Sequence, residues 1–263
     1  MAGEWALILG ASSGFGEATA RALARRGMHV CGVHLDRRAG MAHVDEITAA
    51  IRETGGTALF FNVNAADHEK RKQVVDALAS RIADDGGGTV RVLMHSLAFG
   101  SLTPFVGAEP ARLATPAQIE MTLNVMAHSL VYWVQDALAR GLLARGSRVV
   151  AMTSAGSSKV WPGYGPVSAA KAALEAHVRQ LAVELGPSGV TVNAIRAGVT
   201  DTPAFRKIPG SEWMADQVRA RNPSGRMTTT GDVADVIAML AGGESQWITG
   251  TVIGVDGGED VVT

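Results

Sequence analysis

The sequence has little of what builds disulfide-bonded, metal-binding or membrane-spanning proteins. Its one cysteine, Cys31, excludes an internal disulfide, and its neighbours Val30 and Val33 favour a buried strand thiol. The seven histidines form no H-x-x-x-H pair and no cluster with cysteine, so we expect no metal site. Apolar runs stop short of membrane-spanning length, and residue 1 leads into a predicted strand rather than a signal peptide. These features together predict a cytoplasmic location.

An excess of charge of one sign is also missing. The chain carries 24 Lys and Arg residues against 25 Asp and Glu residues, a net charge of −1. We therefore expect neither nucleic acid nor an anionic membrane as a partner. The length of 263 residues suits one large α/β domain or two small ones with a sizeable core.

Apolar segments and amphipathic segments alternate along the chain. This order predicts a parallel sheet with right-handed crossovers. Residues 198–225, rich in Gly, Pro, Thr and Arg, are interpreted as a mobile substrate lid because a helix and a strand still follow them. We predict one domain over residues 1–263, a Rossmann-type α/β doubly wound parallel sheet of about seven strands with helices on both faces. The predicted strands are 5–9, 28–35, 57–63, 90–95, 148–152, 190–195 and 251–255, and the helices after the first run over 44–53, 67–82, 116–140, 165–185, 212–221 and 232–240.

A glycine turn follows the first predicted strand. Gly10, Gly14 and Gly16 give the spacing G-x-x-x-G-x-G before a helix that ends near residue 26. Glycines at such a junction let the backbone approach a pyrophosphate, which the helix N-terminus then stabilises. The same residues match G-x-S-x-G, the hydrolase nucleophile elbow, with Ser12 as nucleophile. An elbow is followed by an acid and then a histidine, whereas here His177 lies mid-helix and no histidine follows it.

The stretch 153–176 carries the proton-transfer chemistry. Ser154 ends an apolar run, and after a small-residue turn a predicted helix carries Tyr164 and Lys171. Seven residues are almost two helical turns, so both side chains are expected on one helix face. A phenol and an ammonium facing a serine form a proton-donating site, in which the lysine charge lowers the phenol pKa. Taken alone, a tyrosine and a lysine more often lie on a solvated helix face.

Several of these motifs together resemble the short-chain dehydrogenase/reductases over essentially the whole chain. Commoner members carry the tyrosine four residues before the lysine, where this chain has Val167. The spacing Y-x6-K resembles the divergent branch of enoyl-acyl carrier protein reductases of bacterial fatty acid synthesis. The motifs are Gly10 to Gly16, His95-Ser96-Leu97-Ala98-Phe99, Asn124, Ser154, Tyr164 with Lys171, Asn193-Ala194, Arg196-Ala197-Gly198, Asn222-Pro223-Ser224-Gly225-Arg226-Met227 and Val255-Asp256-Gly257-Gly258.

The resemblance is to an enoyl reductase subgroup, because the best-known members carry a second tyrosine where this chain has Ser154 and usually lack Asn124. A shift of three residues moves the phenol by about 4.5 Å along a helix. That displacement suits an enoyl thioester, whose oxygen lies two carbons beyond the carbon that receives hydride. The resemblance implies Tyr164, Lys171, Ser154 and Asn124 as catalytic residues. Two other interpretations stay open: a carbonyl-directed dehydrogenase such as a 3-ketoacyl-thioester reductase, and a cofactor-binding protein without catalysis.

The cofactor is expected at the glycine turn and the following strand ends. Asp36, just after the second strand, can accept from a ribose hydroxyl, whereas Arg37 and Arg38 suit a 2′-phosphate. We favour NADPH, with NADH as the alternative. The resemblance further implies an acyl thioester substrate carried on acyl carrier protein, and a homotetramer built on helices 116–140 and 165–185. The expected cofactor-binding residues are Gly10, Ser12, Ser13, Gly14, Phe15, Gly16, His34, Arg37, Arg38, Asn62, Val63, Ser96, Leu97, Ala98, Lys171, Ala197, Gly198, Val199 and Thr202.

Overall fold

The computed structural model describes residues 3–262, and these form one seven-stranded parallel sheet. The strand order is β3-β2-β1-β4-β5-β6-β7, which confirms the expected doubly wound α/β fold. Central strands are buried on both faces, as their nearly continuous apolar sequences require. The strands are β1 (Trp5–Leu9), β2 (His29–His34), β3 (Ala58–Asn62), β4 (Val90–His95), β5 (Arg148–Thr153), β6 (Thr191–Ala197) and β7 (Val252–Val255).

Helices cover both faces of the sheet, and alternate strand residues point into two separate cores. In β1, for example, Leu7 joins the core beneath α3, α5 and α6, while Ile8 joins the core beneath α1, α2 and α8. Capping boxes start two of the helices, one at Thr115 and one at Thr229. The helices are α1 (Gly14–Ala24), α2 (Met41–Glu53), α3 (His68–Asp84), α4 (Pro116–Leu123), α5 (Ser129–Ala139), α6 (Gly165–Leu185), α7 (Ser211–Arg221) and α8 (Thr230–Leu240).

The strand order reverses between β1 and β4, which lie side by side in the sheet. Leu9 pairs with His95 where both strands end, so the segments that follow them leave the sheet at the same edge. Ligands of open α/β sheets bind in the crevice that such a reversal opens at the carboxyl ends of the strands. The fold therefore places the glycine turn and the segment 96–100 on the two sides of one crevice.

Two helix predictions need correction. The single helix expected over 116–140 is divided by a π-turn, Asn124–His128, between α4 and α5. Tyr164 was expected inside a helix, but it occupies the N-cap position, and α6 begins at Gly165. Tyr164 N–H closes the preceding turn by donating to Trp161 O at 3.0 Å, and Tyr164 O accepts the first helical bond from Ser168 N–H at 2.9 Å.

The single cysteine and the helices were both the subject of predictions from composition. Cys31 is buried in β2 as expected, and burial raises the pKa of its thiol. Over residues 3–262, none of the helices has both the length and the apolar character needed to cross a membrane.

Candidate active site

The glycine turn lines one side of the crevice. Gly10 and Gly14 have φ values of 89° and 56°, which favour glycine. A Cβ atom on Gly10 would lie 2.5 Å from the Ser96 carbonyl oxygen, and one on Gly16 would lie 2.0 Å from the Gly10 carbonyl oxygen. The protein's own backbone therefore requires these two glycines, and their packing brings the start of α1 to the crevice.

The remaining turn residues differ in exposure. Ser12 and Phe15 are half-buried, and Phe15 packs on the core beneath α1. Ser13 is exposed at the N-cap of α1, and its side chain makes no capping hydrogen bond. Its hydroxyl is thus not used in capping the helix, and its contact with a cofactor phosphate stays a prediction.

The end of β2 holds a polar pair. Nδ1 of the buried His34 lies 2.9 Å from an Asp36 carboxylate oxygen. The Asn62 side chain fixes the Asp36 backbone by accepting from its N–H and donating to its carbonyl, each at 3.0 Å. Arg37 and Arg38 are exposed, and neither forms an ion pair with any residue in 3–262. The Asp36 carboxylate is therefore engaged, whereas both guanidinium groups have their donors free.

Backbone bonds hold the segment that leaves β4, across the crevice from the glycine turn, and the segment that leaves β3, on the same side as that turn. Ser96 N–H donates to Leu9 O at 2.9 Å, and Val63 N–H donates to His34 O at 2.8 Å. Both bonds fix the start of a loop against the neighbouring strand. Leu97 is half-buried, and Ala98 is exposed beside it.

The loop after β6 reaches the glycine turn. A Cβ atom on Gly14 would lie 3.5 Å from Cγ2 of the buried Thr202. Ala197 and Gly198, which end and follow β6, are half-buried. The structure thus brings the residues predicted after β1, β4 and β6 together around one crevice, while their contact with a cofactor remains a prediction. The mobility of 198–225 also remains a prediction.

Ser154 and Tyr164 lie together beyond β5. Burial raises the pKa of the Tyr164 phenol, and the nearby Ser154 side chain opposes that rise. Ser154 Oγ is buried and completes no hydrogen bond within residues 3–262, so its contact with the phenol falls short of hydrogen-bond geometry. An unpartnered buried hydroxyl beside a neutral phenol suits a ligand oxygen that accepts from both groups.

Lys171 lies one layer deeper, with 5% of its surface exposed. Its Nζ donates to Met152 O at 2.6 Å, which ties α6 to the end of β5 and leaves two further N–H donors. Burial lowers the pKa of Lys171 to about 8, although Glu175 opposes the change. The expectation that Lys171 lowers the Tyr164 pKa was wrong, since burial of the phenol dominates and the ammonium acts instead on His95.

Asn124 begins the π-turn that packs against α6. Its carbonyl accepts from Ser129 N–H, five residues later, as a π-type bond requires. Ser154, Tyr164 and Lys171 thus lie around the first turns of α6, and the turn that begins with Asn124 packs against the same helix. The sequence placed Asn124 in a helix but gave no sign of this wide turn.

Val167, which occupies the commoner tyrosine position, is a core residue. It is 4% exposed, and a Cβ atom on Gly100 would lie 3.0 Å from Val167 Cγ2 and 2.8 Å from Met126 Sδ. A phenol at position 167 would need the space that Gly100 and Met126 fill. Val167 therefore belongs to the core, and Tyr164 is the tyrosine that lies beside Ser154.

Sequence reasoning missed two acidic residues near the C-terminus. The Glu259 carboxylate accepts from Val199 N–H at 3.0 Å, and burial raises its pKa. Asp260 forms an ion pair with Arg196 at 2.8 Å and another with Lys159. These contacts join the loops after β5 and β6. The only sequence signal was an acidic pair directly after Gly257-Gly258.

Known proteins share both this fold and this sequence pattern. The family model described as enoyl-(acyl carrier protein) reductase matches residues 10–259. The 1-cyclohexenylcarbonyl-CoA reductase of Streptomyces collinus is 30% identical over 262 residues, which cover 97% of this chain and 86% of that protein.

Two solved structures share this fold over nearly the whole chain. The enoyl-(acyl-carrier-protein) reductase of Anaplasma phagocytophilum, in complex with NAD, has a TM-score of 0.84 and 23% identity over 100% of this chain and 94% of that one. A short-chain dehydrogenase of Burkholderia cenocepacia, in complex with NADP, has a TM-score of 0.82 and 28% identity over 98% of each chain.

Proposed function

Because the chain belongs to the short-chain dehydrogenase/reductase family, we propose that this oxidoreductase reduces the carbon-carbon double bond of an enoyl thioester. The proposal includes a nicotinamide cofactor, for which the complexes with NAD and NADP among similar structures give support. The name of the Streptomyces relative also describes a thioester with a ring double bond next to its carbonyl. An acyl carrier protein as carrier, a role in fatty acid synthesis, a cytoplasmic location and a homotetramer built on α4, α5 and α6 are further parts of the proposal.

The position of the phenol carries this proposal. Val167, at the commoner tyrosine position, is buried in the core beside Gly100 and carries no proton donor. Tyr164, three residues earlier, lies beside the unpartnered Ser154 hydroxyl. A phenol three residues before the commoner position can donate to the thioester oxygen, which lies two carbons beyond the carbon that receives hydride. This is the geometry that conjugate reduction requires.

The roles of the chain's own groups follow from their protonation. Burial keeps the Tyr164 phenol neutral, so it can donate a hydrogen bond to a thioester oxygen and stabilise the charge that develops there. Ser154 Oγ–H supplies a second donor beside it. Lys171 has two N–H donors beyond its bond to Met152, which suit ribose hydroxyls.

The cofactor fits the crevice by the chemistry of the groups that line it. The start of α1 at the glycine turn suits a pyrophosphate, and the loops 96–98 and 197–202 lie on the opposite side. When bound, the reduced nicotinamide supplies the hydride. We further propose NADPH, because the Asp36 carboxylate is engaged by His34 while Arg37 and Arg38 are unpaired within the described residues.

The central experiment compares two substrates at equal enzyme concentration. We expect oxidation of NADPH with crotonoyl-CoA at a kcat/KM well above that with acetoacetyl-CoA. The reverse preference would replace the proposal with the carbonyl-directed alternative, which the retained Asn124 and Ser154 favour. Tight NADPH binding with no oxidation by either thioester would indicate a binding protein without catalysis.

Cofactor preference has its own test. Replacing both Arg37 and Arg38 with Ala should lower kcat/KM for NADPH by about tenfold or more, since hydrogen bonds to charged groups contribute about 1.5–3 kcal/mol. The value for NADH should stay the same. Arg25→Ala/Arg26→Ala is the matched control, because these two exposed arginines end α1 away from the crevice. A preference for NADH that the first double variant leaves unaltered would refute the arginine role.

A further inference from the structure

A buried hydrogen-bonded chain runs from the end of β4 to the π-turn. His95 has no exposed surface, and its Nε2 lies 2.8 Å from Oγ of the equally buried Ser129. Ser129 Oγ in turn donates to Val125 O at 2.7 Å. The chain therefore links a central strand to the segment that begins with Asn124.

Ser129 determines the geometry of the π-turn through two bonds. In an α-helix its backbone N–H would bond Val125 O, but here that N–H bonds Asn124 O. The Val125 carbonyl loses its usual partner, and the Ser129 hydroxyl takes that place. One residue thus satisfies the two carbonyls that define the wide turn.

The same bonds fix the tautomer of His95. Ser129 has one hydroxyl hydrogen, and Val125 O accepts it, so Ser129 Oγ can only accept from the imidazole. Nε2 therefore carries the hydrogen. Nδ1 is left as a buried acceptor that has no partner within residues 3–262. Burial and the positive charge of Lys171 lower the pKa of His95 to about 3, which agrees with a neutral ring.

We propose that His95, as a neutral Nε2–H donor to Ser129, is a positioning residue that holds the π-turn and thereby places Asn124 for the reaction. The effect on turnover rests on the proposed function, whereas the tautomer and the hydrogen-bonded chain do not. A buried acceptor without a partner destabilises the folded state, so stability alone does not account for an imidazole at this place, whereas site geometry does.

Substitutions at His95 and Ser129 can distinguish a role in positioning Asn124 from a role in stabilising the core. His95→Leu and Ser129→Ala should each lower kcat about ten- to a hundredfold, the range expected when catalytic groups are displaced by a fraction of an ångström to an ångström. The dissociation constant for NADPH should change less than about twofold, because neither side chain lies at the crevice surface. His95→Gln can donate an N–H from a similar position, so it should recover most of the turnover.

Two controls complete the series. The double variant His95→Leu/Ser129→Ala should lose no more kcat than either single variant, because each substitution alone already breaks the same hydrogen-bonded chain. His29→Leu removes a histidine from the amino end of β2, where its Nδ1 accepts from Thr57 N–H, and should leave kcat unchanged. Full turnover of His95→Leu per folded enzyme, or equal losses in His95→Leu and His95→Gln, would overturn the proposal.

A measurement on the unaltered protein decides the tautomer without turnover. Long-range 1H–15N spectra of histidine-labelled protein, assigned with His95→Gln, should show a neutral Nε2–H ring for His95 at pH 7. A charged ring or an Nδ1–H ring would overturn the proposal, even if His95→Leu and Ser129→Ala fail to fold. If the enzyme reduces acetoacetyl-CoA instead of crotonoyl-CoA, only the proposed function fails, and the variants are compared with that substrate.

Discussion

Replacement of Lys171 with methionine should stabilise the protein at neutral pH while removing its activity. Lys171 is 5% exposed, and burial lowers its pKa from 10.5 to about 8. Since one pKa unit corresponds to about 1.4 kcal/mol, the folded state disfavours the ammonium by about 3 kcal/mol. The lost hydrogen bond to Met152 O offsets about 1 kcal/mol of this. Lys171→Met should therefore gain about 2 kcal/mol in the free energy of unfolding at pH 7.

The pH dependence identifies the origin of that gain. The folded-state pKa of Lys171 lies below its unfolded value, so between about pH 8 and pH 10.5 only the unfolded chain holds the proton. Stability rises with pH wherever the unfolded state binds more protons. Below pH 8 both states are protonated and the full penalty applies. The advantage of Lys171→Met should thus be greatest at pH 7 and decrease as pH rises through this window.

Urea unfolding followed by circular dichroism at pH 7 and pH 10, at one fixed protein concentration, tests this reasoning. Lys72→Met, which replaces an exposed lysine of α3, is the matched control and should follow the pH dependence of the parent protein. Parallel pH curves for Lys171→Met and the parent protein would refute the argument from burial. A loss of stability at pH 7 would show that the ammonium is needed by the fold.

Three further changes test the site and the core. Tyr164→Phe should lower kcat by about a hundredfold or more with little change in KM, as measured by steady-state NADPH oxidation. Near-normal turnover would show that the Tyr164 phenol does not stabilise the developing charge. The double variant Asn124→Ala/Ser154→Ala should also lose turnover in that assay; full activity would make both residues structural. Arg148→Leu leaves the buried Gly146 carbonyl without its side-chain donor, whereas Leu240 O keeps its bond from Ser245 Oγ, so the free energy of unfolding in urea should fall by about 1–3 kcal/mol; unchanged stability would contradict this.

The sheet could be predicted from local patterns because each strand is bounded by residues that end it. β1 and β4 begin and end at the residues predicted from sequence. Gly10 follows β1 with a positive φ, and polar residues flank β4. Helix boundaries were harder. The π-turn depends on the bond between His95 and Ser129, which are 34 residues apart, and helical periodicity contains no information about such a contact.

The candidate site shows the same division between local and distant causes. Tyr164, Lys171 and Ser154 could be selected from residue type and spacing, since one strand end and the start of one helix bring them together. The contact of Glu259 with Val199 could not be predicted, because it depends on how the C-terminal segment crosses the loop after β6.

Protonation states were the least predictable property of the site. Charge reasoning on the sequence treated Lys171 and Tyr164 as a pair in which the ammonium lowers the phenol pKa. In the structure, burial is the largest cause for both, and it raises the pKa of Tyr164 while it lowers that of Lys171. Each group is thus shifted toward its uncharged form, which keeps the phenol a proton donor and brings the titration of the lysine close to neutral pH. Burial of this kind is produced by residues distant in sequence, such as those of β5 and the π-turn, so only the folded chain could reveal it.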